Sequence, residues 1–211
     1  MTKPLLIGIS GISGSGKSYY LDQIKNHFKT MVTAISFDDY YRPISEQKPD
    51  ENGMLNFDLP DSVDHEKLLL DLHQLISGHP VVIQKYRFEN FEAPQETEIL
   101  APAQIVVVEG LFTFEIEACN SLLNHRVFVE SDAEIALERR LRRDTQERGI
   151  PADRSIYQWK YHVTSAWEKY ILPHRDTCDL ILENSTEGTG NSILLFEKID
   201  SWLDSFLKNQ L

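Results

Sequence analysis

The sequence predicts an α/β fold in which a parallel β-sheet lies between two layers of helices. Three observations carry this. The apolar run Leu5-Leu6-Ile7-Gly8-Ile9 leads into Gly11-Ile12-Ser13-Gly14-Ser15-Gly16-Lys17-Ser18, and a helical pattern follows at once, with Tyr20, Leu21, Ile24 and Phe28 on one face. The run Ile105-Val106-Val107-Val108 is continuous and β-branched, as strands buried on both faces of a parallel sheet are. Elsewhere short strand patterns alternate with longer helical ones, the order that builds layered α/β domains.

Residues 11–18 fit G-x-x-x-x-G-K-[ST], the P-loop pattern, in the strand–loop–helix context that confirms it. Glycines let the backbone wrap closely around an anion. Inward-pointing N–H groups and the helix dipole then favour negative charge. Gly11, Ser13, Gly14, Ser15 and Gly16 are the expected phosphate cradle. Lys17 is expected to reach the β- and γ-phosphates of a nucleoside triphosphate, and Ser18 to bind Mg²⁺. The loop does not say what receives the phosphate.

The 211 residues carry a net charge of −12, with a pI near 5.0. The length suits one domain, residues 1–211, with a sizeable core. The acidic surface argues against nucleic-acid binding, so phosphates need a local basic site. A signal peptide and a membrane-spanning run are both missing, which predicts a cytoplasmic protein. Cys119 and Cys178 have no metal or redox spacing and read as packing residues.

Val32–Ser36 reads as the second strand, and it runs into Asp38 and Asp39. Acids at the C-terminal end of such a strand stand where open α/β sheets place ligands. One of them is placed to take a proton from an attacking hydroxyl, or to help hold a metal through water. A helix cap or solvated turn accounts for the pair equally well. Residues 42–60 form a long polar loop, for which a functional role is expected. Asp58 within it is suited to binding substrate hydroxyls, or to capping the helix expected over 64–77. That helix has Leu68, Leu69, Leu72, Leu75 and Ile76 as its apolar stripe.

Val81–Tyr86 and Thr97–Leu100 suggest a hairpin standing off the main sheet, with residues 87–96 as its tip. Tyr86, Phe88 and Phe91 lie at or near that tip. They are suited to stacking on a flat base, or to burial against the body. Glu109 ends the central strand, where an acid in P-loop proteins helps hold Mg²⁺; a structural salt bridge is the alternative.

A helix is expected over 114–123 and a strand over 126–130. The next helix, from Ala133, carries Arg139, Arg140, Arg142 and Arg143, with Arg148 beyond it. Glu138 is spaced to pair with Arg142. The remaining arginines outnumber their local partners, which suggests an arginine-rich lid, about 139–153, closing on an anion rather than a solvated face. Asp153 is expected to cap a helix reaching Leu172, with Trp159, Val163, Ala166, Trp167 and Tyr170 on its apolar side. His162 and His174 have no assignable partners. Leu180–Leu182 is the last strand, 184–191 a loop near the nucleotide base, and 192–210 the final helix.

Taken together these stretches resemble the uridine kinase family, relatives of phosphoribulokinase within the P-loop kinases. The resemblance rests on 11–18, Asp38-Asp39-Tyr40-Tyr41-Arg42, Asn56-Phe57-Asp58-Leu59-Pro60-Asp61, Val108-Glu109-Gly110 and Arg139 to Gly149, with Gln158 in register. It implies a P-loop NTPase three-layer sandwich: a parallel five-stranded sheet, helices on both faces, a small substrate-binding β-hairpin and an Arg-rich lid. It implies ATP as donor, Mg²⁺ held by Ser18, Glu109 and Asp38, and catalysis by Asp38, Lys17 and Arg143. Arg140 falls to the ATP site. Asp58, Tyr41, Tyr86, Arg148 and Gln158 fall to the nucleoside site. The acceptor it implies is the 5′-hydroxyl of uridine, and of cytidine, in pyrimidine salvage by a homotetramer.

Two positions depart from the family pattern. Phe91 stands where a base-reading histidine is usual, with Arg87 in place of an acid. Ile150-Pro151 is apolar where the family tends to be polar. A hydrogen-bonding site rejects wrong substrates strongly and an apolar one weakly. Another acceptor therefore stays open: nicotinamide riboside, pantothenate, glycerate or a sugar phosphate. A non-catalytic nucleotide-binding regulator is the other class. Against a GTPase switch, the chain has no Asn-Lys-x-Asp motif.

Overall fold

The computed structural model describes residues 3–87, 96–185 and 190–210. Its strands are β1 (Leu5–Ser10), β2 (Val32–Ser36), β3 (Val81–Gln84), β4 (Thr97–Leu100), β5 (Ile105–Glu109), β6 (His125–Glu130) and β7 (Leu180–Glu183). Its α-helices are α1 (Lys17–Phe28), α2 (His65–Ile76), α3 (Glu117–Asn120), α4 (Ala133–Gln146), α5 (Ala152–Gln158), α6 (Thr164–Ala166) and α7 (Gly190–Lys208). The apolar runs become a five-stranded, wholly parallel sheet in the order β2-β5-β1-β6-β7. β3 and β4 pair antiparallel as a separate hairpin.

Alternation along the strands divides the core in two. Leu6, Ile35, Val106, Val108 and Phe128 face α2, the hairpin residues Val81, Ile83 and Leu100, and the buried Phe112 and Phe114. Leu5, Ile7, Ile9, Val107, Val127 and Val129 face Tyr20, Leu21 and Ile24 of α1 and Leu195 and Ile199 of α7. Each such side chain contributes about 1.5–3 kcal/mol by leaving water.

The register sets the site. Ile9, Glu109 and Ser36 lie in one row across β1, β5 and β2. The P-loop, Glu109 and the turn carrying Asp38 therefore meet at the C-terminal edge of the sheet. There β1 parts its two neighbours, β5 and β6, which is the switch point where such sheets bind ligands.

Several elements differ from expectation. The segment 114–123 is mostly turns around the short α3. Its Phe114 and Leu123 are drawn down over Gly8, where a Cβ would strike both. Asp153 does not cap α5; Pro151 holds the N-cap position, with no side-chain cap bond. Beyond α5 the run is not a plain α-helix. It passes through a π turn at Trp159–Val163, α6, a second π turn at Trp167–Ile171 and a 3₁₀ stretch, Leu172–Thr177. Trp159 and Trp167 pack against the core, and both cysteines are free. Among the described residues, no helix is long and apolar enough to cross a membrane.

Candidate active site

Gly16 ends the P-loop at the N-cap of α1 with φ 99°, and Gly14 has φ 83°. Both lie in the left-handed region that favours glycine. A Cβ at Gly14 would also strike the Ala136 carbonyl of α4. Asn184, just past β7, braces the loop from outside by donating to the Ser15 carbonyl at 2.7 Å. Lys17 folds back so that Nζ donates to the carbonyls of Gly11 (3.0 Å) and Ile12 (3.1 Å). Burial pulls this ammonium below its ordinary value, while the Glu109 and Asp38 carboxylates pull it back up.

A cavity of about 380 Å³ opens over the loop. Ser13, Lys17, Ser18, Asp38 and Glu109 line it, together with Tyr41, Phe57, Asp58 and Gln158. Arg140, Arg143, Asp144 and Arg148 line it too. Glu109 is buried and accepts a hydrogen bond from Ser36 Oγ at 3.0 Å. Burial pushes its carboxyl up to about 7, against the pull of Lys17. Ser18 and Glu109 thus offer a hydroxyl and a little-satisfied buried carboxylate on one cavity, a hard oxygen set that fits Mg²⁺.

The two acids after β2 separate. Asp39 is bound by Lys85 of the hairpin at 2.9 Å, and Lys85 also holds Glu98 at 2.8 Å. Asp39 anchors the hairpin, while Asp38 faces the cavity with Arg148 3.6 Å away. Tyr41 stacks between Phe57 (5.7 Å, edge-on) and Tyr86 (5.3 Å). Tyr86 itself lines a second, adjoining cavity of about 530 Å³ together with Tyr41. Phe88 and Phe91 lie outside the described residues.

The arginines are held to different degrees. Arg140 is 7% exposed and held on several sides: Ser13 Oγ at 3.0 Å, Gln158 Oε1 at 3.3 Å, Asp144 at 3.2 Å and Asp58 at 3.7 Å. It ties Ser13 of the P-loop to Asp58. Asp144 is the residue the sequence reading passed over. Its fully buried carboxylate meets Arg140, Arg143 (3.1 Å) and, at 4.0 Å, Arg148, and it accepts from Ser155 Oγ at 2.7 Å. Burial pushes its pKa up, but Arg140, the Ser155 hydroxyl and Arg143 outweigh that and hold it below the ordinary carboxylate range. The only hint in the sequence was its place four residues after Arg140. Among the described residues no ion pair joins Glu138 to Arg142. The cluster's partners Asp38 and Asp58 are distant in sequence instead.

Both histidines prove to be partnered. His162 Nε2 lies 2.8 Å from Asp50 Oδ2, and His174 Nε2 lies 3.0 Å from Glu115.

Residues 6–189 match the Phosphoribulokinase / Uridine kinase family. The chain is 34% identical over 194 residues to a protein named uridine kinase from Clostridium tetani, covering 92% of this chain and 91% of the relative. It is 30% identical over 211 residues, the full length of both, to a uridine kinase from Staphylococcus carnosus. Among solved structures, phosphoribulokinase from Rhodobacter spheroides superposes with a TM-score of 0.60 at 13% identity, over 86% of this chain and 70% of that one. A possible uridine kinase from Bacillus stearothermophilus gives 0.58 at 15% identity, over 86% and 89%. At such identities these two show a shared fold.

Proposed function

The chain belongs to the phosphoribulokinase / uridine kinase family, a family of phosphotransferases acting on hydroxyl groups, and from that premise we propose that it transfers the γ-phosphate of ATP to the 5′-hydroxyl of uridine, and of cytidine, with Mg²⁺. The observation that supports this most is a single cavity lined by Lys17 and Ser18 of the P-loop, by Asp38 and Glu109, and by Asp58. A phosphate cradle, two acids at strand ends and a separate acid for the acceptor have a common task in transfer to a polyol.

In this reading the P-loop amides and Lys17 bind the β- and γ-phosphates, with Lys17 exchanging its loop carbonyls for phosphate oxygens. Ser18 and Glu109 would hold Mg²⁺, assisted by Asp38; the ion supplies charge neutralisation on the transferring group. Asp58 accepts from the ribose 2′- and 3′-hydroxyls, and Tyr41, Tyr86, Phe91 and Gln158 enclose the nucleoside. Asp38 accepts the proton of the 5′-hydroxyl. Arg143 and Arg148 face the developing charge, while Arg140 keeps the Ser13 side of the loop in register with Asp58. Positioning and preorganised charge supply most of the rate. Pyrimidine salvage in the cytoplasm, by a homotetramer, completes the proposal.

The test is ADP release with Mg·ATP against uridine, cytidine, nicotinamide riboside, pantothenate, glycerate and ribulose 5-phosphate. Turnover on uridine or cytidine is expected. Turnover confined to another acceptor would keep the phosphotransferase and overturn the pyrimidine assignment.

A further inference from the structure

The loop 42–60 brings Leu55, Phe57 and Asp58 to the cavity. Its own regular structure is slight: one 3₁₀ turn at Ile44–Glu46 and a bridge between Pro49 and Leu55. Asp50 is one of the points at which it is held from outside, beside Asp58 against Arg140. Oδ1 of Asp50 accepts from the backbone N–H of Asn52 and of Met54, each at 2.9 Å, and closes the local turn. Oδ2 points away from the loop to the helical run after Gly149. There the Tyr157 hydroxyl donates to it at 2.8 Å, and His162 Nε2 lies 2.8 Å from it. Asn52 Nδ2 completes the cluster by donating to the Tyr157 hydroxyl at 2.6 Å.

His162 is 2% exposed, and its ring meets Tyr157 edge-on at 5.8 Å. The π turn over Trp159–Val163 has a physical part in this. Its i→i+5 closure widens the helix and brings positions five apart, such as Tyr157 and His162, toward one face, where an α-helix would splay them. Burial acts against the Asp50 carboxylate, yet the bonds from His162, Tyr157, Met54 and Asn52 keep it well below the ordinary carboxylate range. Gln158, between the two ring-bearing residues, reaches Asp58 from the other side through Arg140. One stretch of helix thus grips the loop at Asp50 and buttresses its acid at Asp58.

We infer that Asp50, Tyr157 and His162 form a latch that positions the acceptor loop, so that His162 and Tyr157 are positioning residues for acceptor binding and act through Asp58. This rests on the reading of Asp58 as the acid that binds the acceptor. With the latch broken, the loop spends part of its time with Asp58 displaced. Apparent acceptor affinity falls by the fraction of competent loop, while ATP binding and turnover at saturation are unaffected.

Three variants test this. His162→Leu removes the contact and keeps apolar bulk; His162→Gln retains an N–H that can reach Asp50; Tyr157→Phe removes one hydroxyl from a partly exposed ring. His162→Leu is expected to raise the acceptor KM about tenfold, the loss of one hydrogen bond to a charged group. Tyr157→Phe is expected to raise it about threefold, less than His162→Leu because the half-buried Tyr157 hydroxyl can be replaced by water. The kcat and the KM for ATP stay unchanged, and His162→Gln restores most of the loss. A second readout needs no acceptor: amide hydrogen exchange across residues 50–58 speeds up in His162→Leu. Unchanged exchange there overturns the latch. Faster exchange with an unmoved acceptor KM overturns its positioning role, as does a joint fall of kcat and rise of both KM values in the Leu and Gln variants alike. If the wild type turns over no nucleoside, the proposed substrate fails, and the exchange readout still decides the latch.

Discussion

Asp144→Asn separates a structural counter-charge from a surface ion pair. The Asp144 side chain is 1% exposed and faces Arg140 at 3.2 Å, Arg143 at 3.1 Å and Arg148 at 4.0 Å. Asparagine keeps the size and one acceptor but removes the negative charge that these three guanidiniums face together. Breaking a buried pair by removing one partner costs about 3–5 kcal/mol. Arg143 and Arg148 retain some solvent, with side chains 30% and 21% exposed, so the lower end applies. A loss of about 3 kcal/mol in a chain of this length lowers the melting temperature by roughly 6–12 °C. Because Arg143 and Arg148 also line the cavity, kcat/KM falls with it.

The pH dependence carries a signature. A carboxyl whose folded pKa is depressed contributes stability that is present above its unfolded value, near 3.8 here, and lost as pH falls through the folded value. The gap between wild type and variant is therefore full at neutral pH and closes below pH 3.8. Urea denaturation at pH 7 and in that acid range measures it. A difference under about 0.5 kcal/mol at pH 7, the ordinary size for a surface substitution, refutes the counter-charge argument.

Asp38→Asn is expected to lower kcat by about 10²–10⁴-fold, the usual worth of a positioned general base, with ATP affinity retained; an unchanged kcat removes it as the base. Gly14→Ala places a Cβ against the Ala136 carbonyl at a φ that L-residues rarely adopt, so it is expected to cost about 1–3 kcal/mol and to abolish ATP binding, checked by denaturation and by calorimetric titration. Glu109→Gln is expected to stabilise the ligand-free protein at pH 8 while abolishing Mg²⁺-dependent turnover. The sign follows from burial: a carboxyl raised from 4.5 to about 7 is costly to ionise, so its penalty sets in above pH 4.5, is complete above 7, and is absent below 4.5, where the two proteins should melt together.

Much of the fold was legible because its signals are local. β1 and β5 are built on apolar runs, Leu5–Ile9 and Ile105–Val108, and β2 spans the residues expected of it. The P-loop could be read because its glycines, lysine and serine are adjacent in the chain and each answers to the same anion. Asp58 and Glu109 could be marked as candidate acids from their neighbours, although helix capping and salt bridging remained open for them.

The tertiary structure decided which acid faces which cation. Asp38 and Asp39 are adjacent and chemically identical, and the fold distinguishes them by setting Lys85 of the hairpin on Asp39 and turning Asp38 to the cavity beside Arg148. The arginines after Ala133 looked like a free clamp, since their partners lie far away in the chain; Arg140 meets Ser13 across 127 positions. Asp144 was hidden among them because burial, which makes it matter, is a property of packing. His162 appeared to have no partner, and its partner Asp50 stands 112 residues away in a loop with no periodic pattern. The separation has a physical origin. Backbone periodicity and turn chemistry act within a few residues and are written in order along the chain. The pairing of charges depends on distance and on exclusion of water, and both exist only once the sheet has brought remote segments together.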